Sequence, residues 1–112
     1  MLTGKARSDF EKWYWNDWLT GSDRDYYEKH EVIEISWKAE KMFLFPIIIE
    51  WFDSVGIYVE TGVYPCQEYG NVYFSGSFFG KLGGWDDKTN YTDRQQATEE
   101  AIIKANEIYN SQ

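Results

Sequence analysis

The sequence predicts an α+β fold, in which a small antiparallel β-sheet of about three strands packs against N- and C-terminal helices and a short middle helix. Three observations predict it. Apolar and aromatic residues recur at helical spacing near both ends, the segments between them read as β-strands, and a helix N-cap pattern begins at Thr92. A chain of 112 residues has no room for a second core, so we expect one domain spanning 1–112.

The first predicted helix covers residues 4–20. Its aromatic side chains follow 3–4 spacing from Phe10 to Trp18, and Thr3 precedes the helix as a suitable N-cap residue. Trp15 falls off this stripe, toward the polar face. Such a tryptophan either covers neighbouring structure or contacts a partner.

A polar connector over 22–31 leads to a segment in which apolar and polar residues alternate. Ile33, Ile35 and Trp37 would share one face of a strand over 32–38. The sequence therefore predicts that this segment is a half-buried first strand.

The apolar run that follows is compatible with a strand or a helix. Its β-branched residues favour a strand, whereas Pro46 disfavours a central strand and suits the first position of a helix. With Gly56 as its stop, we expect a short buried helix over 46–54.

The second half of the chain predicts a hairpin followed by a helix. Strands over 57–64 and 72–79 are joined by a turn, and a glycine-rich loop over 80–84 follows them. Thr92 and Gln95 match a capping box, in which each side chain bonds the other residue's backbone amide. Alanines then recur along one stripe, which lets the helix approach a sheet closely: Ala97, Ala101 and Ala105.

Composition points to a soluble binding protein. The chain has 6 Trp, 9 Tyr and 7 Phe with a formal net charge of -8, so we expect part of this large aromatic content to be exposed. Clustered Lys and Arg, which binding to a phosphate backbone requires, are missing, and no apolar run is long enough to span a membrane. We therefore expect neither direct nucleic-acid binding nor membrane insertion.

Catalytic and metal-binding patterns are weak. His30 is the one histidine and Cys66 the one cysteine, which cannot together form a zinc site or an activated nucleophile pair. One cysteine also fits a reducing compartment. We therefore expect a cytoplasmic protein that is not an enzyme and that needs no metal or cofactor.

The partner surface is predicted from aromatic residues outside the core and from acidic residues of the middle third. Between residues 31 and 70 the chain has seven acidic and two basic side chains, so a partner with a basic surface is electrostatically favoured. Trp13, Trp18, Trp37, Phe74 and Phe78 are expected in the core instead. The predicted partner-binding residues are Trp15, Glu34, Tyr58, Glu60, Glu68, Tyr73 and Trp85.

A second hypothesis is a nucleotide-like ligand. The amides and the lysine of the glycine-rich loop could hold an anion beside an aromatic ring, and Arg94 would add positive charge near a helix N-terminus. The residues of this alternative site are Lys81, Gly83, Gly84, Trp85 and Arg94. The loop lacks the Gly-Lys-Ser/Thr ending of a P-loop.

Two segments, Phe45–Ile57 and Tyr91–Tyr109, carry a likeness that covers roughly residues 43–110. They resemble small uncharacterised proteins of Bacteroidetes bacteria and their phages. The resemblance implies a phage or mobile-element origin and supplies no activity. In a phage setting, the sharpest hypothesis is a small acidic protein that inhibits a host defence protein in the host cytosol. A nucleotide-sequestering protein and a homo-oligomeric structural protein are the alternatives.

Overall fold

The computed structural model describes residues 1–19, 28–39, 41–66, 70–79, 85–91 and 93–112, and it describes side chains for 1–19, 28–39, 42–62, 91 and 93–112. Within these ranges four helices and three strands follow one another. They are α1 (Gly4–Trp13), which continues into a π-helical turn (Tyr14–Trp18), α2 (Lys29–Lys38), α3 (Lys41–Ser54), β1 (Ile57–Cys66), β2 (Gly70–Phe79), β3 (Trp85–Tyr91) and α4 (Arg94–Asn110).

The strands pair in the order β1-β2-β3, and both pairs are antiparallel. Ile57 lies opposite Phe79 at one end of the β1–β2 pair, and Cys66 lies opposite Gly70 at the other. The β2–β3 pairing shifts register between Tyr73 and Ser75, which marks a bulge or an irregularity there.

The predicted fold class is wrong in its proportion of helix to strand and in the segments that it assigns to the sheet. Helices make up 75% of the residues whose side chains are described, whereas the strand residues in that set are limited to 57–62 of β1 and Tyr91 of β3. A sheet built from 32–38, 57–64 and 72–79 is not formed, because 32–38 belongs to α2. The residues whose side chains the structure describes therefore form a predominantly helical arrangement.

The alternation in 32–38 predicted a strand, but the same segment also places two apolar residues four positions apart, which is a helical spacing. Ile33 and Trp37 are four residues apart and face the same side of α2, with Ile33 8% exposed and Trp37 packed against the core. Ile35 lies about 200° around the helix from Ile33 and is 68% exposed.

Helix α3 begins before Pro46, whereas the prediction placed its start at that residue. Pro46 has no N–H to donate to the carbonyl of Met42, one turn earlier, and its ring is exposed. The helix ends as predicted: the amide of Gly56 donates to the carbonyl of Asp53, and Gly56 has a φ of 83°.

The C-terminal helix confirms the alanine stripe but not the predicted cap. Ala97, Ala101 and Ala105 are 0–2% exposed. The N-cap residue is Asp93, whose carboxylate accepts the amide of Gln96 at 2.7 Å. Thr92, the predicted cap, lies outside the described residues.

Aromatic rings around Phe10 form the centre of the core. Phe10 is 1% exposed, and its ring lies 5.6–6.1 Å, centroid to centroid, from four others. These neighbours are Trp13, Tyr14, Trp37 and Trp51. Trp18 was expected in the core but is 38% exposed, because it stands at the end of the π-helical turn.

Candidate functional site

The two faces of β1 differ in burial. Ile57 is 0% exposed and Val59 packs against the core, whereas Tyr58 is 42% exposed and Glu60 is exposed. Successive residues of a strand point to opposite faces, so the odd positions face the helices and the even positions face away from them. We call the second side, defined on β1 by Tyr58 and Glu60, the outer face.

The register of the sheet extends this face across β2 and β3. Tyr58 of β1 lies opposite Phe78 of β2, which lies opposite Trp85 of β3. Two residues further along the strands, Glu60 lies opposite Gly76, which lies opposite Asp87. Residues that are directly opposite in a ladder share a face of the sheet. The positions of three aromatic residues therefore form one row, next to a row that holds two acids.

The structure brings three of the predicted partner-binding residues together. Tyr58, Glu60 and Trp85 occupy outer-face positions. Tyr73 does not, because it lies opposite Val63 and Tyr91, positions that alternate with those of the outer face.

The remaining partner-binding predictions are scattered. Trp15 lies in the π-helical turn and is half-buried against the core, so its position off the stripe reflects packing. Glu34 is exposed on α2, where its carboxylate is 3.6 Å from the ammonium of Lys38. Glu68 lies outside the described residues.

The alternative ligand site lies mostly outside the described residues. This applies to Lys81, Gly83 and Gly84, whereas Trp85 is the first residue of β3 and Arg94 is the exposed first residue of α4. The carboxylate of Asp93 already accepts an N-terminal amide of α4. A second anion at this helix end would meet that charge, which disfavours the phosphate-binding hypothesis.

A surface cleft of about 580 Å³, which the sequence did not predict, lies between α1 and α2. Glu11 organises its wall: its carboxylate accepts the indole N–H of Trp37 at 2.8 Å and the Nε–H of Arg7 at 3.1 Å. The Arg7 guanidinium lies 5.0 Å from the centroid of the Trp37 ring. His30 lines the same cleft.

The chemistry of this cleft is balanced between the two signs of charge. Three basic side chains line it together with three acidic ones: Arg7, Lys29 and Lys38, and Glu11, Glu28 and Glu34. Two ion pairs among them are already formed within the chain. The i, i+4 spacing of Arg7 and Glu11 was visible in the sequence, but the contribution of Trp37 required α2 to be a helix.

Among the residues that the structure describes, the pKa values of two groups are shifted, and local packing explains both shifts. Burial, a hydrogen bond to Asp9 and the charge of Asp9 raise the pKa of Tyr109 to about 12. Burial and the neighbouring Glu50 raise the pKa of Asp53. The Tyr109 ring packs 4.9 Å from that of Trp51, as expected of a structural contact between helices.

Neither a metal centre nor a membrane span is recognisable in the part of the chain that the structure describes. There, His, Cys, Asp and Glu side chains do not converge in groups of three or more. None of the described helices combines the length and apolarity that crossing a bilayer requires.

Comparison of the chain with protein-family models, with curated proteins and with solved structures found no match.

Proposed function

We propose that this protein acts by binding another protein, one with a basic surface, through its outer face. The observation that carries the proposal is the exposure of Tyr58 and Glu60 on a strand whose opposite side is packed against the core. A tyrosine exposed beside an acidic residue combines apolar area with a polar tip, the chemistry of interface anchors.

The positions along the sheet favour a protein partner over a small ligand. The row of Tyr58, Phe78 and Trp85 spans three neighbouring strands, so it is about 10 Å wide at the usual strand spacing. An extended aromatic row fits the broad contact of a protein interface better than the concave pocket that a small molecule requires.

The acidic residues of this protein indicate that the partner's surface is basic. Glu60 and the position of Asp87 border the aromatic row, and the whole chain has a formal net charge of -8. Such a field speeds encounter with a basic surface, while aromatic anchors slow dissociation. The sharpest form of the proposal is inhibition of a host defence protein in the cytosol. That form rests on the resemblance to phage proteins.

The test compares capture by the unmodified protein and by two outer-face variants in lysate of a Bacteroidetes host. Replacing Tyr58 with Ser should reduce recovery of any salt-sensitive partner at least tenfold, because it removes an exposed aromatic anchor. Replacing Glu60 with Gln should mainly slow association and flatten its salt dependence.

Glu107→Gln is the matched control, since Glu107 is an exposed glutamate on α4, away from the sheet rows. Undiminished capture by Tyr58→Ser would contradict the assignment of the outer face. An unmodified bait that recovers no stoichiometric partner would contradict the function itself.

A further inference from the structure

Helix α2 has an exposed stripe that the described fold leaves uncovered. Glu31, Glu34, Ile35 and Lys38 follow 3–4 spacing, which places them on one side of the helix, and all four are exposed. Ile35, near the middle, is 68% exposed. The opposite side of α2 faces the core through Ile33 and Trp37.

The charges of this stripe are ordered along the helix. The acids Glu31 and Glu34 precede Ile35, and Lys38 follows it. The pair between Lys38 and Glu34 has 76% and 57% side-chain exposure, so it is weak and leaves Lys38 able to reorient toward another carboxylate.

We propose that a second copy of this chain docks antiparallel on the α2 stripe. A two-fold axis between positions 34 and 35 would place Glu31 of each copy opposite Lys38 of the other. The two Ile35 side chains would then meet beside the axis. Each charged residue lies about 5 Å along the helix from this axis, at 1.5 Å per residue, so both ion pairs form together.

Self-complementarity is the reason for choosing a second copy as the occupant. The stripe reads Glu31, Glu34, Ile35 and Lys38 along the helix, so its own reversal sets Lys38 against Glu31 at both ends and Ile35 against Glu34 beside the axis. Alignment of two antiparallel helix dipoles adds a small favourable contribution. This interface is independent of the outer face, and the dimer would present two outer faces to a partner.

The size of the stripe sets the expected affinity. A ten-residue helix presents less than the roughly 800 Å² per partner of a standard stable interface. Two copies of net charge -8 also repel each other. We expect a dimer that dissociates in the micromolar range.

Sedimentation velocity on the full chain, with paired charge reversals, tests the proposal. Glu31→Lys alone and Lys38→Glu alone each place like charges at both contacts and should weaken dimerisation by roughly tenfold or more. An equimolar mixture of the two variants should form a heterodimer within about threefold of the original affinity, because both ion pairs return, one with its original polarity and one reversed.

Two further variants test whether dimerisation depends on the α2 stripe in particular. Ile35→Glu should be monomeric, whereas Tyr58→Ser should dimerise like the unmodified chain. Circular dichroism of each variant checks that the helix content of the chain is unchanged.

Several results would overturn the proposal. They are a monomeric unmodified chain at about 200 µM and 150 mM salt, reversals that leave the dimer intact, or a mixture of reversals that stays monomeric. A dimer lost in Tyr58→Ser instead would assign self-association to the outer face, and failure to capture a host protein would leave these measurements unaffected.

Discussion

Thr3 and Asn106 exchange two hydrogen bonds and so join the two ends of the chain. The Thr3 backbone N–H donates to the Asn106 Oδ1 at 2.9 Å, and the Asn106 Nδ2 donates to the Thr3 Oγ1 at 3.0 Å. Asn110 adds a second pair, accepting the Ala6 N–H at 2.8 Å and donating to the Thr3 carbonyl at 2.9 Å. Helix α4 thereby supplies the N-terminal cap of α1, for which Thr3 makes no side-chain cap bond of its own.

Asn110→Ala should lower the free energy of unfolding by about 1–2 kcal/mol, because it leaves the Ala6 amide and the Thr3 carbonyl without this partner. Urea denaturation measures the loss. Glu107→Ala serves as the control on the same helix, since it removes an exposed ion pair with Lys104 and should cost less than about 0.5 kcal/mol. Equal losses for the two variants would show that the cap is not an important contact.

Gly4 should tolerate a side chain less well than Gly56. Both have positive φ, 59° and 83°, so alanine costs about 1–2 kcal/mol of backbone strain at either position. A Cβ at Gly4 would also lie 3.3 Å from the Asn110 Nδ2, whereas nothing lies within 4 Å of a Cβ at Gly56. Urea denaturation should therefore show a larger loss for Gly4→Ala, and Asn110→Ala should reduce the difference. A larger loss at Gly56 would contradict the close approach of Asn110.

The sequence predicted correctly those elements whose residue pattern fits one type of secondary structure. Ala97, Ala101 and Ala105 recur every fourth residue after a helix N-cap pattern, without the apolar–polar alternation of a strand between them, and the structure buries them. The exposure of Tyr58 likewise follows from alternation along a strand, and it confirms that this aromatic residue lies outside the core. The position of Trp85 in the same row could not be predicted, because it depends on the register of β3.

The strand prediction for 32–38 was wrong because the pattern of this segment fits both a strand and a helix. Alternation favours a strand, but the helical pair of Ile33 and Trp37 gains a partner in α1 that no local pattern shows. The indole of Trp37 packs 5.6 Å from the ring of Phe10, centroid to centroid, and donates to Glu11. Packing of Trp37 against the core, together with burial of Ile33, outweighs the exposure of Ile35, and the cleft beside Trp37 was missed for the same reason.

Tyr109 should make stability fall in alkaline solution. Its pKa is raised to about 12 in the folded chain, above the value of 10.0 for an unperturbed tyrosine, so folding favours the protonated hydroxyl. That contribution is fully present below pH 10 and is lost as the pH rises from about 10 to about 12. Urea denaturation at steps from pH 8 to 11.5 should show a steeper decline for the unmodified chain than for Tyr109→Phe. Parallel declines would contradict the role of the hydrogen bond to Asp9.

Helix α2 should lose protection from hydrogen exchange when Glu11 is replaced by Ala. The Glu11 carboxylate accepts the Trp37 indole N–H, and Tyr14 adds a 3.0 Å hydrogen bond to Ser36 on the same helix. Glu11→Ala leaves the indole without its acceptor, which should cost about 1–2 kcal/mol and raise exchange over 29–38 roughly tenfold.

Glu11→Gln is the matched control, because the amide oxygen can still accept from Trp37 while the charge that pairs with Arg7 is lost. If only Glu11→Ala loosens α2, the indole bond holds the helix, and the same variant should weaken self-association by disordering the Ile35 stripe. If both variants loosen it equally, the ion pair is the important contact. If neither does, the rings of Phe10 and Trp37 hold α2 in place without Glu11.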